Sequence, residues 1–165
     1  MRHPTPDPLK PGQESVWDYP RPAIAEAITA HIVVILGGET IAETQHAVRT
    51  LETSHPPSYY LPPDAVRAGV LLPATGSSFC EWKGDARYFD VVGGGVRRPR
   101  AAWSYPDPTP GFALLRDHIA FYAAAMDACF VDGERVVPQP GGFYGGWITT
   151  RVAGPFKGGP GSAGW

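Results

Sequence analysis

His31-Ile32-Val33-Val34-Ile35-Leu36-Gly37-Gly38-Glu39-Thr40-Ile41-Ala42-Glu43-Thr44 contains the clearest strand signal in the chain. Residues 31–36 are rich in β-branched side chains, which fit a pleated, half-buried surface. Gly37-Gly38 supplies the positive φ angles that a two-residue hairpin turn requires. Thr40–Thr44 follows within hairpin distance and returns antiparallel. Beyond it, Ala47-Val48-Arg49-Thr50-Leu51-Glu52-Thr53 alternates apolar and polar side chains, the period of a third strand. That period places Val48, Thr50 and Glu52 on one face, with Arg49 and Leu51 on the other.

The composition agrees with a β reading. The chain has 165 residues, with 20 glycines and 19 prolines and no repeat period. Such a density of turn formers implies many short elements joined by tight connections. The net charge of −2 offers no electrostatic footprint for nucleic acid or anionic lipid. Arg97, Arg98 and Arg100 follow Gly93-Gly94-Gly95 and read as the solvated side of a hairpin tip. Cys80 and Cys129 cannot form a CxxC knuckle, so a thiolate zinc site is excluded and no metal is expected. With no secretory apolar region ahead of the domain, a cytoplasmic chain with reduced thiols is expected. No apolar run approaches the ~20 residues of a membrane span.

Residues 1–13 hold four prolines without apolar periodicity and read as a flexible or strapped-down tail. A single β domain is expected over 14–152, opened by an arm, Glu14–Pro22, that packs two aromatic residues between prolines. Residues 153–165 read as a glycine-rich tail. Ile24–Ala30 fits a short helix or a loop. Asp64 would cap a helical turn, and Ala74–Ser78 would be a turn. Ala86–Val92 and Val96–Trp103 would pair across the Gly93–Gly95 tip. For 112–126 two readings stand: helical turns followed by strands at 118–122 and 128–132, or one helix. Asp132-Gly133 signals a further hairpin.

Ser77-Ser78-Phe79-Cys80-Glu81-Trp82-Lys83-Gly84 is the chemically densest segment, with a thiol, a carboxylate, an indole and an ammonium in consecutive positions. Read as extended, it sets Cys80 and Trp82 on one face, and Glu81 and Lys83 on the other. A kink at Gly84 would bring Lys83 and Trp82 to the mouth of a pocket.

Five stretches carry a family resemblance: ESVWDYPRP (14–22), LETSHPPSYYLPP (51–63), FCEWKG (79–84), AWSYPDP (102–108) and VVPQPGGFYGGW (136–147). In this order they resemble the uncharacterised DUF427 family. The resemblance implies a mainly β, Mss4-like/β-tent fold: two antiparallel sheets meeting at an angle, one or two short helices and long Pro/Gly-rich loops. Relatives of that fold carry zinc on CxxC knuckles, which this chain lacks. The nucleotidyltransferase-like label sometimes given to the family finds no phosphate-cradling Gly loop followed by Lys-Ser/Thr and no paired Asp motif.

The rings Tyr59, Tyr60, Trp82, Trp103, Tyr105, Phe143, Tyr144 and Trp147 lie in Pro- or Gly-rich motifs and are expected as a group to wall a ligand cavity, although each taken singly fits a core better than a site. Lys83 would hold an anionic group or act as a base. His55, its backbone fixed by Pro56, and Glu52, three residues earlier, would move or orient a proton. Asp107 is a second carboxylate that could serve, though a turn role suits it better. Cys80 is either a small buried hydrophobe or a nucleophile activated by His55 or Lys83. The expected function is therefore a cofactor-free acid–base enzyme on a small organic molecule, an isomerase, cyclase, lyase or hydrolase. The alternative is a non-catalytic module that binds a small molecule or peptide in the same aromatic cage. A homodimer stays open.

Overall fold

In the computed structural model, which describes residues 3–165, the 31–44 run folds into the hairpin its composition predicts. The first two residues of the expected N-terminal tail lie outside the described residues. The strands, in chain order, are β1 Glu14–Ser15, β2 Ile24–Ala27, β3 Ile32–Leu36, β4 Glu39–Thr44, β5 Val48–Leu51, β6 Ser58–Tyr60, β7 Leu71–Cys80 and β8 Gly84–Gly93. They continue with β9 Val96–Ser104, β10 Ile119–Phe121, β11 Ala128–Val131, β12 Glu134–Arg135, β13 Val137–Pro138, β14 Trp147–Ile148 and β15 Val152–Ala153. The helical segments among the described residues are short 3₁₀ turns, at Val16–Asp18, Pro63–Ala65, Pro110–Leu115 and Ala123–Ala125. The protein is mainly β, as expected.

Two four-stranded antiparallel sheets carry the structure, in the orders β10-β9-β8-β7 and β12-β11-β3-β4. A third, β2-β5-β6, is joined to the first where Leu61 and Ile119 exchange backbone hydrogen bonds of 2.8 and 2.7 Å. Ile32, Val34 and Leu36 point into the main core, while Val33 and Ile35 are only half-buried. The period of two thus sorts β3 into a core face and a wetter face. A second cluster, with Tyr60, Trp103, Tyr105, Phe112 and Leu115, lies beside the three-stranded sheet and becomes the floor of the candidate site.

The hairpin turns are where glycine is indispensable. Gly37-Gly38, Gly94-Gly95 and Asp132-Gly133 all have positive φ at both central positions. Two of these tips meet backbone to backbone: a Cβ on Gly94 would lie 1.9 Å from the carbonyl oxygen of Gly37, and one on Gly37 2.2 Å from that of Gly93. The contact fixes the β3–β4 hairpin against the β8–β9 hairpin.

Several expectations are corrected. The 77–89 stretch does not run through Gly84 as a kinked strand. It is the end of a long hairpin: Cys80 pairs with Gly84 and the three residues Glu81-Trp82-Lys83 form its tip. Ala74–Ser78 is strand with a bulge between Pro73 and Ser77, not a turn. Residues 112–126 are not one helix, because the chain leaves the 110–115 turn to pair β10 with β9. Ladder pairing on a buried sheet edge outweighs the helix propensity of the alanines. Asp64 makes no side-chain cap, and Ile24–Ala27, read as helix or loop, is a strand on β5. The chain ends are tied down. β1 pairs in parallel with β15, Asp7 N–H donates to Gly154 O (2.9 Å), and Lys157 N–H donates to Ser54 O (2.9 Å).

Substituting Gly95 by Ala costs about 1–2 kcal/mol for a left-handed backbone alone, since open space surrounds it. Gly94→Ala adds a collision with Gly37 and is expected to cost at least roughly twice as much. Urea unfolding of the two variants side by side checks the tip-to-tip contact, and equal losses would refute it.

Candidate functional site

β5 and β6 divide their side chains between two sides. Thr50, Ser58 and Tyr60 face one side, together with Glu52 and His55 from the corner that follows β5. Arg49 and Tyr59 face the other, where an open cleft also receives Glu14, Asp132 and Arg151. The first side is closed over by two projecting segments. One is the hairpin tip Glu81-Trp82-Lys83, and the other is the loop carrying Phe143, Tyr144 and Gly145. Between them lies a cavity of about 420 Å³, within the range of small-molecule sites.

Backbone contacts hold both segments in place. Thr109 donates its N–H to Lys83 O (3.0 Å) and its hydroxyl to Trp82 O. Gly84, at φ +110°, lets the tip approach this strap, since a Cβ there would meet Asp107 O at 3.2 Å. On the other wall a Cβ on Gly145 would lie 2.1 Å from the Trp103 ring, so only glycine lets the loop lie on that indole. The glycines flanking the aromatic residues of 141–147 mark backbone pressed onto another surface, as their pattern suggests.

The polar end is built around Glu52. Its Oε2 lies 3.2 Å from Nε2 of His55, and its Oε1 lies 3.7 Å from Nζ of Lys83. The His55 and Lys83 side chains are each only 12% exposed. Gln139 settles the histidine tautomer. Gly146 N–H donates to Gln139 Oε1 (3.0 Å), which turns the amide NH₂ toward Lys157 O (2.8 Å) and His55 Nδ1 (3.0 Å). Nδ1 therefore accepts, and the ring proton sits on Nε2, facing Glu52. Burial pulls the Glu52 carboxyl upward, but the hydrogen bond from His55 and the charges around it, Lys83 and Lys157 among them, outweigh it and set its pKa below the ordinary carboxylate value. Glu52 is thus an ionised partner for its neighbours and not a carboxylic acid held protonated by aromatic surroundings.

The floor is Tyr60, Trp103 and Tyr105. The Trp103 indole N–H donates to the Tyr60 hydroxyl (3.2 Å), and burial raises the pKa of both phenols well above the ordinary range, so they stay protonated. Cys80 packs against this cluster with Trp82, Tyr88 and Tyr122. Among the described residues it makes no hydrogen bond to His55 or Lys83, so the activated-nucleophile reading has no geometry behind it. Cys129 is a buried thiol elsewhere, pushed up to about 12 by burial. Tyr144 stands edge-on to the His55 ring at 4.7 Å, and Lys157 lies over Tyr144 at 5.7 Å. Phe79 and Phe143 sit at the mouth, 74% and 77% exposed.

Ten of the twelve site residues read from the sequence line this one cavity: Glu52, His55, Cys80 and Lys83, with Tyr60, Trp82, Trp103, Tyr105, Phe143 and Tyr144. Two do not. Trp147 is fully buried in the main core, its indole N–H donating to Phe121 O (3.0 Å). Tyr59 packs on Trp147 at a ring distance of 5.2 Å and faces the opposite cleft. Adjacent residues on a strand point to opposite faces, so Tyr59 and Tyr60 cannot line the same wall. Asp107 is exposed, 3.6 Å from Arg116, and fills a turn position. Sequence reasoning missed Gln139, Tyr88, Tyr122 and Phe79 in the lining, and Lys157 behind Tyr144. Gln139 carried a signal, an amide held between Pro138 and Pro140 in a rigid motif. Lys157 carried none, since its segment reads as a loose tail.

A family model described as a domain of unknown function, DUF427, matches residues 24–132. The chain belongs to the DUF427 family. The DUF427 match covers the Glu52–His55 corner, the Lys83 hairpin tip and the Trp103–Tyr105 floor. It stops short of Gln139, Phe143 and Tyr144, so one wall of the cavity comes from outside the matched span. No curated protein matches the chain. Among the described residues no helix is long and apolar enough to cross a membrane.

The lowered pKa of Glu52 has a stability consequence. Its folded-state preference for the ionised form is fully present above the ordinary value of 4.5 and is lost as pH falls through the lower folded value. Glu52→Gln is therefore expected to be less stable than the parent at neutral pH, with the gap narrowing in acid. Urea midpoints measured across that range check it, and a gap that widens in acid would contradict it.

Proposed function

We propose that this DUF427 chain is an acid–base enzyme that works on a small organic molecule without a cofactor. The observation that carries the reading is the Glu52 carboxylate placed between the His55 imidazole and the Lys83 ammonium inside a ring-walled cavity. A cavity lined by rings alone would serve only to hold a ligand. A coupled carboxylate and ammonium in a partly dry site can also move a proton or hold charge as it develops. Lys83 is the group that meets the substrate: its ammonium stabilises negative charge on a substrate oxygen or delivers a proton to it. Glu52 keeps the local charge balanced, and His55 and Gln139 hold Glu52 in place. Isomerisation, cyclisation, elimination and hydrolysis are the reaction classes this chemistry serves.

The second reading, a binding module, is favoured by one specific feature. Both nitrogens of His55 are engaged, one by Gln139 and one by Glu52, so the ring has no free lone pair to take a proton from a ligand. Under either reading the function depends on Lys83.

Native mass spectrometry of the protein after incubation with a small-metabolite extract tests both readings. A retained mass that is later released chemically changed supports the enzyme, and one released unchanged supports the binder. Lys83→Ala is expected to cut turnover or retention by about 10²-fold. Its melting temperature should move by about 4 °C or less, the effect of roughly 1 kcal/mol in a domain of this size. Full function in that variant would overturn the proposal.

A further inference from the structure

The Lys83 ammonium has three N–H groups, and its side chain is largely shielded from water. Its carboxylate partner, Glu52 Oε1, lies at 3.7 Å, beyond hydrogen-bond reach, and among the described residues Nζ makes no hydrogen bond at all. The Trp82 indole N–H, on the same hairpin tip, also has no partner among the described residues. On the acceptor side, Glu52 already gives one oxygen to His55. Nζ is accessible from the cavity, so its N–H groups are open to an acceptor that a ligand brings.

The charges point the same way. Among the charged side chains that line the cavity, Lys83 is the one lysine or arginine, faced by Glu52 at 3.7 Å. Glu81 is exposed at the rim, where water and salt screen it. At 3.7 Å, Glu52 leaves the N–H groups of the ammonium open to an anionic ligand. Below it lie the Tyr60, Trp103 and Tyr105 rings, with Trp103 and Tyr105 inclined at 88° and 46° to Tyr60, and the cavity continues past Tyr122 and Phe143 into an adjoining recess of about 480 Å³.

We infer that the site takes a small aromatic or conjugated carboxylic acid, with its carboxylate on the Lys83 ammonium and its apolar body against the Tyr60, Trp103 and Tyr105 rings. This rests on the reading of the cavity as a small-molecule site and specifies the class of molecule. It runs against the preference of an aromatic cage without an ammonium, which would select a cation.

The test is a matched series sharing one ring system: cinnamate, cinnamamide and cinnamylamine, titrated into the full chain and followed by tryptophan fluorescence and ligand-observed NMR. Cinnamate is expected to bind at least about tenfold more tightly than the amide, with the amine weakest. Lys83→Met should abolish the preference for the acid over the amide, and Lys83→Arg should retain it. Circular dichroism confirms that each variant is folded. If the amide or the amine binds as well as the acid, the inference fails while the cavity stands as a small-molecule site. If the acid preference survives in Lys83→Met, the anchor is misassigned and the inference fails. If none of the three binds at millimolar concentration, the inference fails, and the metabolite-retention experiment decides whether the broader reading fails with it.

Discussion

The buried carboxamide of Gln139 ties together three segments that are remote in sequence. Its oxygen takes the Gly146 N–H, and its NH₂ reaches both Lys157 O and His55 Nδ1. An amide shut away from water must have these partners met, and removing any one would leave a polar group stranded at a cost of about 1–3 kcal/mol. The arrangement is therefore over-determined. It holds the 143–145 loop against Trp103, ties down the backbone at Lys157, and sets the imidazole that in turn faces Glu52. The orientation of the charged groups follows from an uncharged one.

The electrostatics of the site follow from that framework. Glu52 and Lys83 face each other in partial shelter, where charges interact more strongly than in bulk water. The pair is too far apart to satisfy itself by hydrogen bonding, and the geometry is maintained from outside it. Thr109 clamps the hairpin tip through the backbone of Trp82 and Lys83. His55 and Gln139 hold the carboxylate side. A site held this way can keep its polar groups apart while empty, the state of preparation that selective binding of a charged molecule needs.

Much of this was legible in the residues because it rests on local rules. The three two-residue turns were visible as Gly37-Gly38, the Gly93–Gly95 run and Asp132-Gly133, since only such residues accept positive φ at both positions. The alternation along Val48–Glu52 separated the cavity side from the Arg49 side. The errors also have local causes. Glu81-Trp82-Lys83 was read as extended because a three-residue hairpin tip lacks the turn signature of the other three. Tyr59 was grouped with Tyr60 because they share a motif, although strand geometry forces them apart.

What the amino-acid order determined alone was the class of structure and the identity of the reactive groups: short strands, glycine turns, and the conjunction of Glu52, His55, Lys83 and a set of rings in Pro- and Gly-rich motifs. Steric limits on φ and the two-residue period of a strand act within a few residues, so they can be read without the fold. Only the tertiary structure decided which rings face the cavity and which fill the core. It also decided that Lys83 lies opposite Glu52, and that Gln139 lines the same cavity. Those are pairings across 18 to 84 residues of chain in the case of Gln139 alone. They are selected by the joint requirement that buried polar groups find partners and that the sheets close around one core, a condition no local stretch contains.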